Sequence, residues 1–264
     1  MELLFWIIGF SLLGGVLSVI LASSFLLLSE NTRLMAVPHL VSFAVGALLG
    51  ASFLGLIPHA LEHEFPVSAH NVGLTLLLGL HSFFLLEKLV LWRHCHHDHC
   101  DGHLPENKEQ HSHNRNQATG TLILVGDTIH NFVDGILIAA AFMTDIHLGI
   151  VTALAIAAHE IPQELGDFVI LLHSGFNRRK ALLYNILSSL GTVVGALLAY
   201  FALGEFQHIL PYILIIAASS FIYIAVADLI PGLHNKVKPS ETLQQVLLIA
   251  AGTIFIFITH NTLH

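Results

Sequence analysis

Charged side chains are scarce in this chain. Asp, Glu, Lys and Arg make up only 11% of its 264 residues, whereas 55% are hydrophobic and the mean hydropathy is +0.76. A soluble globular domain carries about 25% charged residues, so the composition excludes that class. With only ten basic residues and a net charge of −8, the chain offers no basic surface for a nucleic acid, and no nucleic-acid partner is expected.

The apolar residues fall into eight runs, each long enough to cross the hydrocarbon core of a bilayer, which takes about 20 helical residues. These runs cover residues 3–28, 37–60, 72–92, 120–143, 148–172, 181–203, 209–231 and 243–260. They predict an all-α integral membrane protein with eight transmembrane helices, surrounded by the lipid bilayer. Residues 1–264 are expected to form a single transmembrane domain.

Basic residues are missing from one side of this predicted topology. With the loops numbered from the N-terminus, all ten lie in or beside the odd-numbered loops: Arg33, Lys88, Arg93, Lys108, Arg115, Arg178, Arg179, Lys180, Lys236 and Lys238. By the positive-inside rule, the odd loops are cytoplasmic and both termini lie outside, which suits a multi-pass protein of the inner or plasma membrane. The outer face has only acidic charges, Glu2, Glu62, Glu64, Asp145 and Glu205, which would concentrate cations there.

Loop 3, predicted over residues 93–119, is the one long connection, and it holds both cysteines of the chain. Imidazole and thiolate are ligands that suit zinc and its neighbours. Its candidate metal ligands are His94, Cys95, His96, His97, His99, Cys100 and His103. A polar cytoplasmic segment of this kind is expected to be disordered without metal and to keep its thiols reduced. The alternative is a solubilising linker whose histidines are incidental.

Two short strings place polar residues inside otherwise apolar spans, HNFVDG at 130–135 and HEIPQE at 159–164. A carboxylate at the bilayer centre costs about 2.5–3.5 kcal/mol on insertion scales, so such a residue indicates a functional site. Helical spacing gathers these side chains into one polar stripe on each helix. The predicted metal ligands are His130, Asn131, Asp134, His159, Glu160, Gln163 and Glu164. Pro162 should kink the second helix and free carbonyl oxygens beside them.

The alternative for these stripes is hydrogen bonding between helices, a common role of single polar residues in membranes. The two spans, however, carry five acidic residues and no basic partner: Asp127, Asp134, Glu160, Glu164 and Asp167. Uncompensated carboxylates at this depth favour a bound cation.

These strings resemble the paired motifs on helices 4 and 5 of the ZIP (Zrt-, Irt-like protein) metal transporters. HEIPQELGDF is closest to the subfamily whose fifth helix reads HExPHE followed by LGDF, and LIPHA at 56–60 and FIYIAVADLIP at 221–231 support the match. The resemblance implies a bundle of three helices, a central pair and three inverted helices. It also implies a two-ion site bridged by Asp134. His130, Asp134, His159 and Gln163 would form one position, and Asn131, Asp134, Glu160 and Glu164 the other.

The chain departs from the family pattern at Gln163, where the motif has His, and at Ala51 and Gly55, where span 2 usually carries Asp and His. We expect the departure at Gln163 to weaken the zinc position.

The function implied is uptake of divalent metal ions, with Zn²⁺ as the foremost substrate and Fe²⁺, Mn²⁺, Co²⁺ and Cd²⁺ as further candidates. Residues 1–264 would form one transport domain, not an enzyme, with a homodimer as a candidate assembly. His59 and His63 are the expected pathway residues on the outer side. Asp127, Asp167 and His173 are expected on the exit side.

Two other functions fit parts of the sequence. An intramembrane zinc metalloprotease would use HExxH, but Gln163 occupies the position of the second His. A cation exporter of the diffusion-facilitator type also uses an HxxxD pair, although it usually has six spans rather than eight.

The distribution of basic residues gives a testable topology. In a protein with Cys95 and Cys100 changed to Ser, a single cysteine in loop 6 should react with a membrane-impermeant thiol reagent added outside cells, because loop 6 is predicted to be extracellular. A cysteine in loop 5 should react only after the cells are permeabilised. External labelling of loop 5 would reverse the orientation.

Overall fold

The computed structural model describes residues 2–25, 27–95, 108–234 and 238–263, and within these ranges the chain is helical with no β-strand. We number the helical rods α1 to α8. They are α1 Glu2–Phe25, α2 Glu30–Gly50 continued through Ala51–Leu56 and Ile57–Glu62, α3 Ala69–Cys95, α4 Lys108–Thr144, α5 Ile146–His173, α6 Arg178–Leu203, α7 Leu210–Tyr223 continued through Ile224–Leu229 and Ile230–Leu233, and α8 Pro239–Leu263.

Side-chain caps fix where the central helices begin. The Asp145 carboxylate accepts a hydrogen bond from the Leu148 amide at 2.9 Å and starts α5, and Asn177 does the same for the Lys180 amide at the start of α6. Short polar side chains at this position satisfy amides that the helix itself leaves free. Gly175, with a φ of 89°, makes the tight turn between the two helices in a conformation that favours glycine.

Seven helices in the described residues are long and apolar enough to cross a membrane: all except α5. With 28 residues, α5 is about 42 Å long at 1.5 Å per residue, so its length suffices. Its polar residues lower its hydropathy. Length and composition therefore confirm seven of the eight predicted spans, and the eighth stays a prediction.

The helices flanking loop 3 extend into the segment predicted as loop. α3 continues to Cys95 and α4 begins at Lys108, so both enter the range 93–119. Of the candidate loop ligands, His94 and Cys95 lie in the last turn of α3. His96, His97, His99, Cys100 and His103 lie outside the described residues.

Helix α5 lies at the centre of the bundle, in contact with α1, α2, α4, α6 and α8. Around it, the contact between α8 and α2 corresponds to the contact between α3 and α7. In the same way, the contact between α1 and α5 corresponds to the contact between α6 and α4. Both α2 and α7 contain a six-residue π-helical segment followed directly by Ile-Pro, at Ala51–Leu56 and Ile224–Leu229. The second helices from the two ends of the chain are thus built alike.

Glycines let α4 and α6 approach closely. A Cβ atom added at Gly195 would lie 2.0 Å from the Phe132 carbonyl oxygen, and one added at Gly135 would lie 1.9 Å from the Thr192 carbonyl oxygen. Small residues at helix contacts are the usual means of close packing in membranes, where no hydrophobic force draws helices together. This contact holds α6 directly against the polar stripe of α4.

Replacing Gly195 by Ala should therefore separate α4 from α6 and destabilise the protein. Overpacking typically costs about 1–3 kcal/mol, so we expect a clearly lower melting temperature in detergent. Gly73→Ala is the matched control, because a Cβ atom at Gly73 would meet nothing within 4 Å. Equal melting temperatures for the two variants would show that the α4–α6 contact tolerates expansion.

Candidate metal centre

Four side chains from α4 and α5 converge in the middle of the bundle. His130 Nε2 lies 3.3 Å from His159 Nε2, 3.2 Å from Glu160 Oε1 and 3.7 Å from Asp134 Oδ2. His159 Nε2 lies 3.5 Å from Asp134 Oδ2 and 3.6 Å from Glu160 Oε1. Four ligand atoms about 2.0–2.2 Å from a tetrahedral zinc ion lie about 3.3–3.6 Å apart. Five of the six distances among these atoms, at 3.2–3.7 Å, are therefore close to the spacing of a tetrahedral zinc site.

A second group adjoins the first. Asp127, Glu160 and Glu164 are all buried and can each bring a carboxylate oxygen within 4.8 Å of the others. An all-oxygen set suits harder ions than a set with imidazoles does. Glu160 belongs to both groups, so a cation in either position would contact it.

Seven of the eight carboxylate oxygens in the two groups accept no hydrogen bond from the described residues. Among the described residues, no hydrogen bond reaches Asp127 Oδ2 or either carboxylate oxygen of Asp134, Glu160 and Glu164. Glu160 and Glu164 are 0% exposed. The ion pairs found for these acids in the described residues are all with His130 or His159. A buried charge needs a compensating partner, so the donor set fits a divalent cation.

Backbone contacts orient the second imidazole. His159 Nδ1 lies 3.2 Å from the carbonyl oxygen of Ala155, one turn earlier on α5. When Nδ1 carries the proton and donates to that oxygen, Nε2 keeps its lone pair for a metal ion. The ring therefore presents Nε2 to the cluster.

Known proteins similar to this chain are zinc transporters. The family model described as "ZIP Zinc transporter" matches residues 91–260. The chain is 33% identical to "Zinc transporter ZIP13" of Pongo abelii over 82% of its own length and 64% of that protein's length. It is 32% identical to "Zinc transporter ZIP13" of Gallus gallus, covering 84% of the chain and 74% of the relative. This chain belongs to the ZIP zinc transporter family. It spans only 38% of the length of another relative, "Zinc transporter ZIP4" of Rattus norvegicus, with 32% identity.

The structure of this ZIP-family chain brings together five of the seven predicted ligands: His130, Asp134, His159, Glu160 and Glu164. The acid common to both groups is Glu160, whereas the resemblance implied Asp134. The Asn131 amide contacts Asp127 and Thr192. Gln163 lines a cavity beside the cluster.

That cavity, of about 380 Å³, connects the cluster with the side of the bundle where the odd-numbered loops lie. His130, Asp127, Gln163 and Asp167 line it, so the predicted exit residues Asp127 and Asp167 do lie next to the site. His173 is exposed at the end of α5, where its ring nitrogen lies 2.9 Å from the Val169 carbonyl oxygen.

A cavity of about 410 Å³ lies at the opposite end of the bundle. It is lined by His59 and His63, as predicted for the outer pathway, together with Glu62, Glu64 and Asp145. Burial lowers the pKa of the His63 imidazole, against the opposing effect of Glu64, which favours the neutral form that binds metal.

Fully buried side chains separate the outer cavity from the cluster. They include Leu137, Ile138, Phe142, Leu148 and Ile156, which are at most 2% exposed and belong to one hydrophobic core. The site is thus closed toward the outer cavity and reachable from the odd-loop side, where the His130 side chain is 25% exposed.

Three residues on the inner cavity are not among the predicted site residues. Glu87 of α3 and Asp228 of α7 line it, and the Tyr223 hydroxyl donates a hydrogen bond to the Glu87 carboxylate. The signal that could have found the two acids is the one that found Asp134, a carboxylate within an apolar span.

Because Glu160 belongs to both groups and Glu164 to only one, the Glu160→Gln and Glu164→Gln variants should differ in metal binding. Glu160→Gln should weaken binding at both metal positions, and Glu164→Gln at the second position only. Each loss should exceed the roughly 10–100-fold cost of removing a supporting contact. Zinc titration calorimetry on purified protein checks both values.

The metal-free proteins provide the control for folding. Each variant removes one uncompensated buried carboxylate, so without metal neither should melt below the wild type. A Glu160→Gln protein that still binds two ions with wild-type affinity would show that Glu160 does not hold the metal.

Proposed function

We propose that this ZIP-family protein takes up divalent metal ions, foremost Zn²⁺, into the cytoplasm through the cluster on α4 and α5. The observation that carries the proposal is the tetrahedral spacing of His130, Asp134, His159 and Glu160, with carboxylate oxygens that no donor satisfies. Uptake requires metal ligands at membrane depth that can replace the water around the ion. It also requires that these ligands are reached from the outside and from the cytoplasm in turn.

The path begins at the outer cavity, where Glu62, Glu64 and Asp145 attract cations and His59 and His63 offer imidazole ligands. An ion then passes the buried apolar core and exchanges water for the cluster. It leaves past His130 into the inner cavity, whose acids Asp127 and Asp167 guide it toward the odd-numbered loops. The described conformation is the inward-open one.

The one-sided distribution of Lys and Arg orients this path. With odd loops in the cytoplasm, the protein is a multi-pass protein of the inner or plasma membrane with both termini outside. The acidic outer cavity then faces the medium that supplies the metal. The exit cavity opens beside loop 3, whose histidines and cysteines would receive the ion.

The packing supports eight spans arranged as three helices, a central pair and three inverted helices. The α8–α2 contact corresponds to α3–α7, and α1–α5 corresponds to α6–α4. The matching π-helical segments of α2 and α7 support the same correspondence. Inverted repeats around a midplane site favour movement of one bundle against the other. Apolar side chains exposed on α3 and α8 would face lipid or a second copy in a homodimer.

The ligand set determines which metals fit. Two imidazoles and two carboxylates suit Zn²⁺, Co²⁺ and Fe²⁺, with Mn²⁺ and Cd²⁺ as further substrates. A protease is disfavoured, because its zinc would be held by HExxH on one helix. Here the two histidines come from two helices, and Gln163 follows Glu160.

Radioactive zinc flux in cells tests the function and its direction. Cells expressing the wild type should accumulate more zinc than empty-vector cells. Asp134→Ala should reduce that uptake by at least about tenfold, because it removes a ligand from the first position.

Glu241→Gln at the start of α8, far from the cluster, is the control and should transport normally. Surface levels of all variants are measured in parallel. Faster zinc loss from preloaded cells would identify an exporter instead, and strong uptake by Asp134→Ala would exclude the proposed site.

A further inference from the structure

Helix α6 reaches the metal centre through one buried hydroxyl. The Thr192 hydroxyl donates a hydrogen bond of 2.8 Å to the Asn131 Oδ1 atom on α4. The Asn131 amide nitrogen donates in turn to Asp127, to its Oδ1 atom at 3.0 Å and to its carbonyl oxygen at 3.1 Å. Asn131, Thr192 and Asp127 are 0%, 1% and 5% exposed, so water does not compete for these bonds.

The bonds fix which way the Asn131 amide points. Its nitrogen faces two acceptors of Asp127, and its oxygen faces the hydroxyl donor of Thr192. If the amide were reversed, its oxygen would face the Asp127 oxygens and both hydrogen bonds to Asp127 would be lost. In the observed orientation the Asn131 oxygen accepts the Thr192 hydrogen bond, and the amide nitrogen is free to hold Asp127.

The Asn131 amide gives the two carboxylate oxygens of Asp127 different surroundings. Its Oδ1 atom takes the Asn131 amide, whereas its buried Oδ2 atom has no hydrogen-bond partner among the described residues. The Gln163 and Ser188 side chains also interact with this carboxylate. One oxygen is therefore held by Asn131 and the other remains for the group that Asp127 forms with Glu160 and Glu164.

We propose that Thr192 is a positioning residue for the second metal position: through Asn131, it aims Asp127 at an ion held by the carboxylates of Asp127, Glu160 and Glu164. This inference deepens the proposed function and rests on it.

The α4–α6 contact is rigid enough for this role. A Cβ atom at Gly191, beside Thr192, would lie 2.9 Å from the Thr128 carbonyl oxygen and 3.5 Å from the Asn131 Cβ atom. The backbones thus keep the hydroxyl at a fixed distance from the amide. Hydrogen bonds that orient metal ligands typically change metal affinity about 10–100-fold when they are removed.

Zinc and Mn²⁺ titrations of the purified full-length protein test the proposal. The wild type should bind one ion at the His130 position and a second at the carboxylate position. Thr192→Val, which keeps the shape but loses the hydroxyl, should weaken the second step about tenfold or more and leave the first unchanged. Thr192→Ser should restore the second step.

Thr253→Val is the matched control. Its hydroxyl donates to the Gly46 carbonyl oxygen between α8 and α2, so its loss removes a comparable bond far from the metal. Thr253→Val should leave both steps unchanged. Asn131→Ala should weaken the second step, and adding Thr192→Val to it should cause no further loss, because Thr192 acts only through Asn131.

The outcomes separate this inference from the proposed function. No zinc binding by the wild type would overturn both. A wild type that binds a single ion, or a Thr192→Val protein that binds the second ion normally, would overturn the positioning role alone. So would additive losses in the double variant, which would show that Thr192 acts independently of Asn131. If Thr192→Val does not fold, Thr192→Ala, which also lacks the hydroxyl, replaces it in both comparisons, and Asn131→Ala alone must still weaken the second step.

Discussion

The centre of the bundle contains buried carboxylates to which the described residues donate no hydrogen bond. Asp134, Glu160 and Glu164 lie where water cannot solvate them, and the described residues offer them only imidazoles as ionic partners. Such groups raise the free energy of the metal-free fold unless a cation compensates them. The packing of the other helices keeps these acids away from lipid. Helix α5 sits at the centre, shielded from lipid by five neighbours, and glycines hold α6 tightly against α4. Because folding brings these acids together, metal binding and stability must be coupled.

A site that matches a tetrahedral ion so closely would hold its ion firmly, yet a transporter must release it. The shared acid offers a physical resolution. If both proposed positions are filled, the two cations would repel each other across Glu160 in a medium of low dielectric constant, and an ion at the carboxylate position would weaken the hold of the histidine position. The Thr192–Asn131–Asp127 hydrogen bonds would set how readily that second ion binds. Affinity and release are then adjusted by different residues of one cluster.

The spans and the centre were largely predictable from sequence, because both depend on strong local signals. An acid or histidine in an apolar span is costly enough to stand out. The helix bounds were less accurate where composition misleads. α4 begins at Lys108, before the predicted start at 120, because its first turns are polar although helical. Thr192 could not be found, since a threonine is ordinary in a membrane helix and its partner Asn131 is 61 positions away.

The choice of shared acid depends on geometry that the sequence does not contain. Asp134 and Glu160 have equal charge, but a glutamate is one methylene longer, and on α5 it reaches both His130 on one side and the acids on the other. This also changes the meaning of Gln163. The expectation of a weaker zinc position assumed that residue 163 completes the tetrahedron, and it stays a prediction. Glu160 offers another fourth ligand atom, 3.2 Å from His130 Nε2. Gln163 lines the inner cavity with His130, Asp127 and Asp167. If Glu160 is the fourth ligand, a neutral amide oxygen at Gln163 would hold a departing ion less tightly than an imidazole would, and the departure from the family motif would favour release.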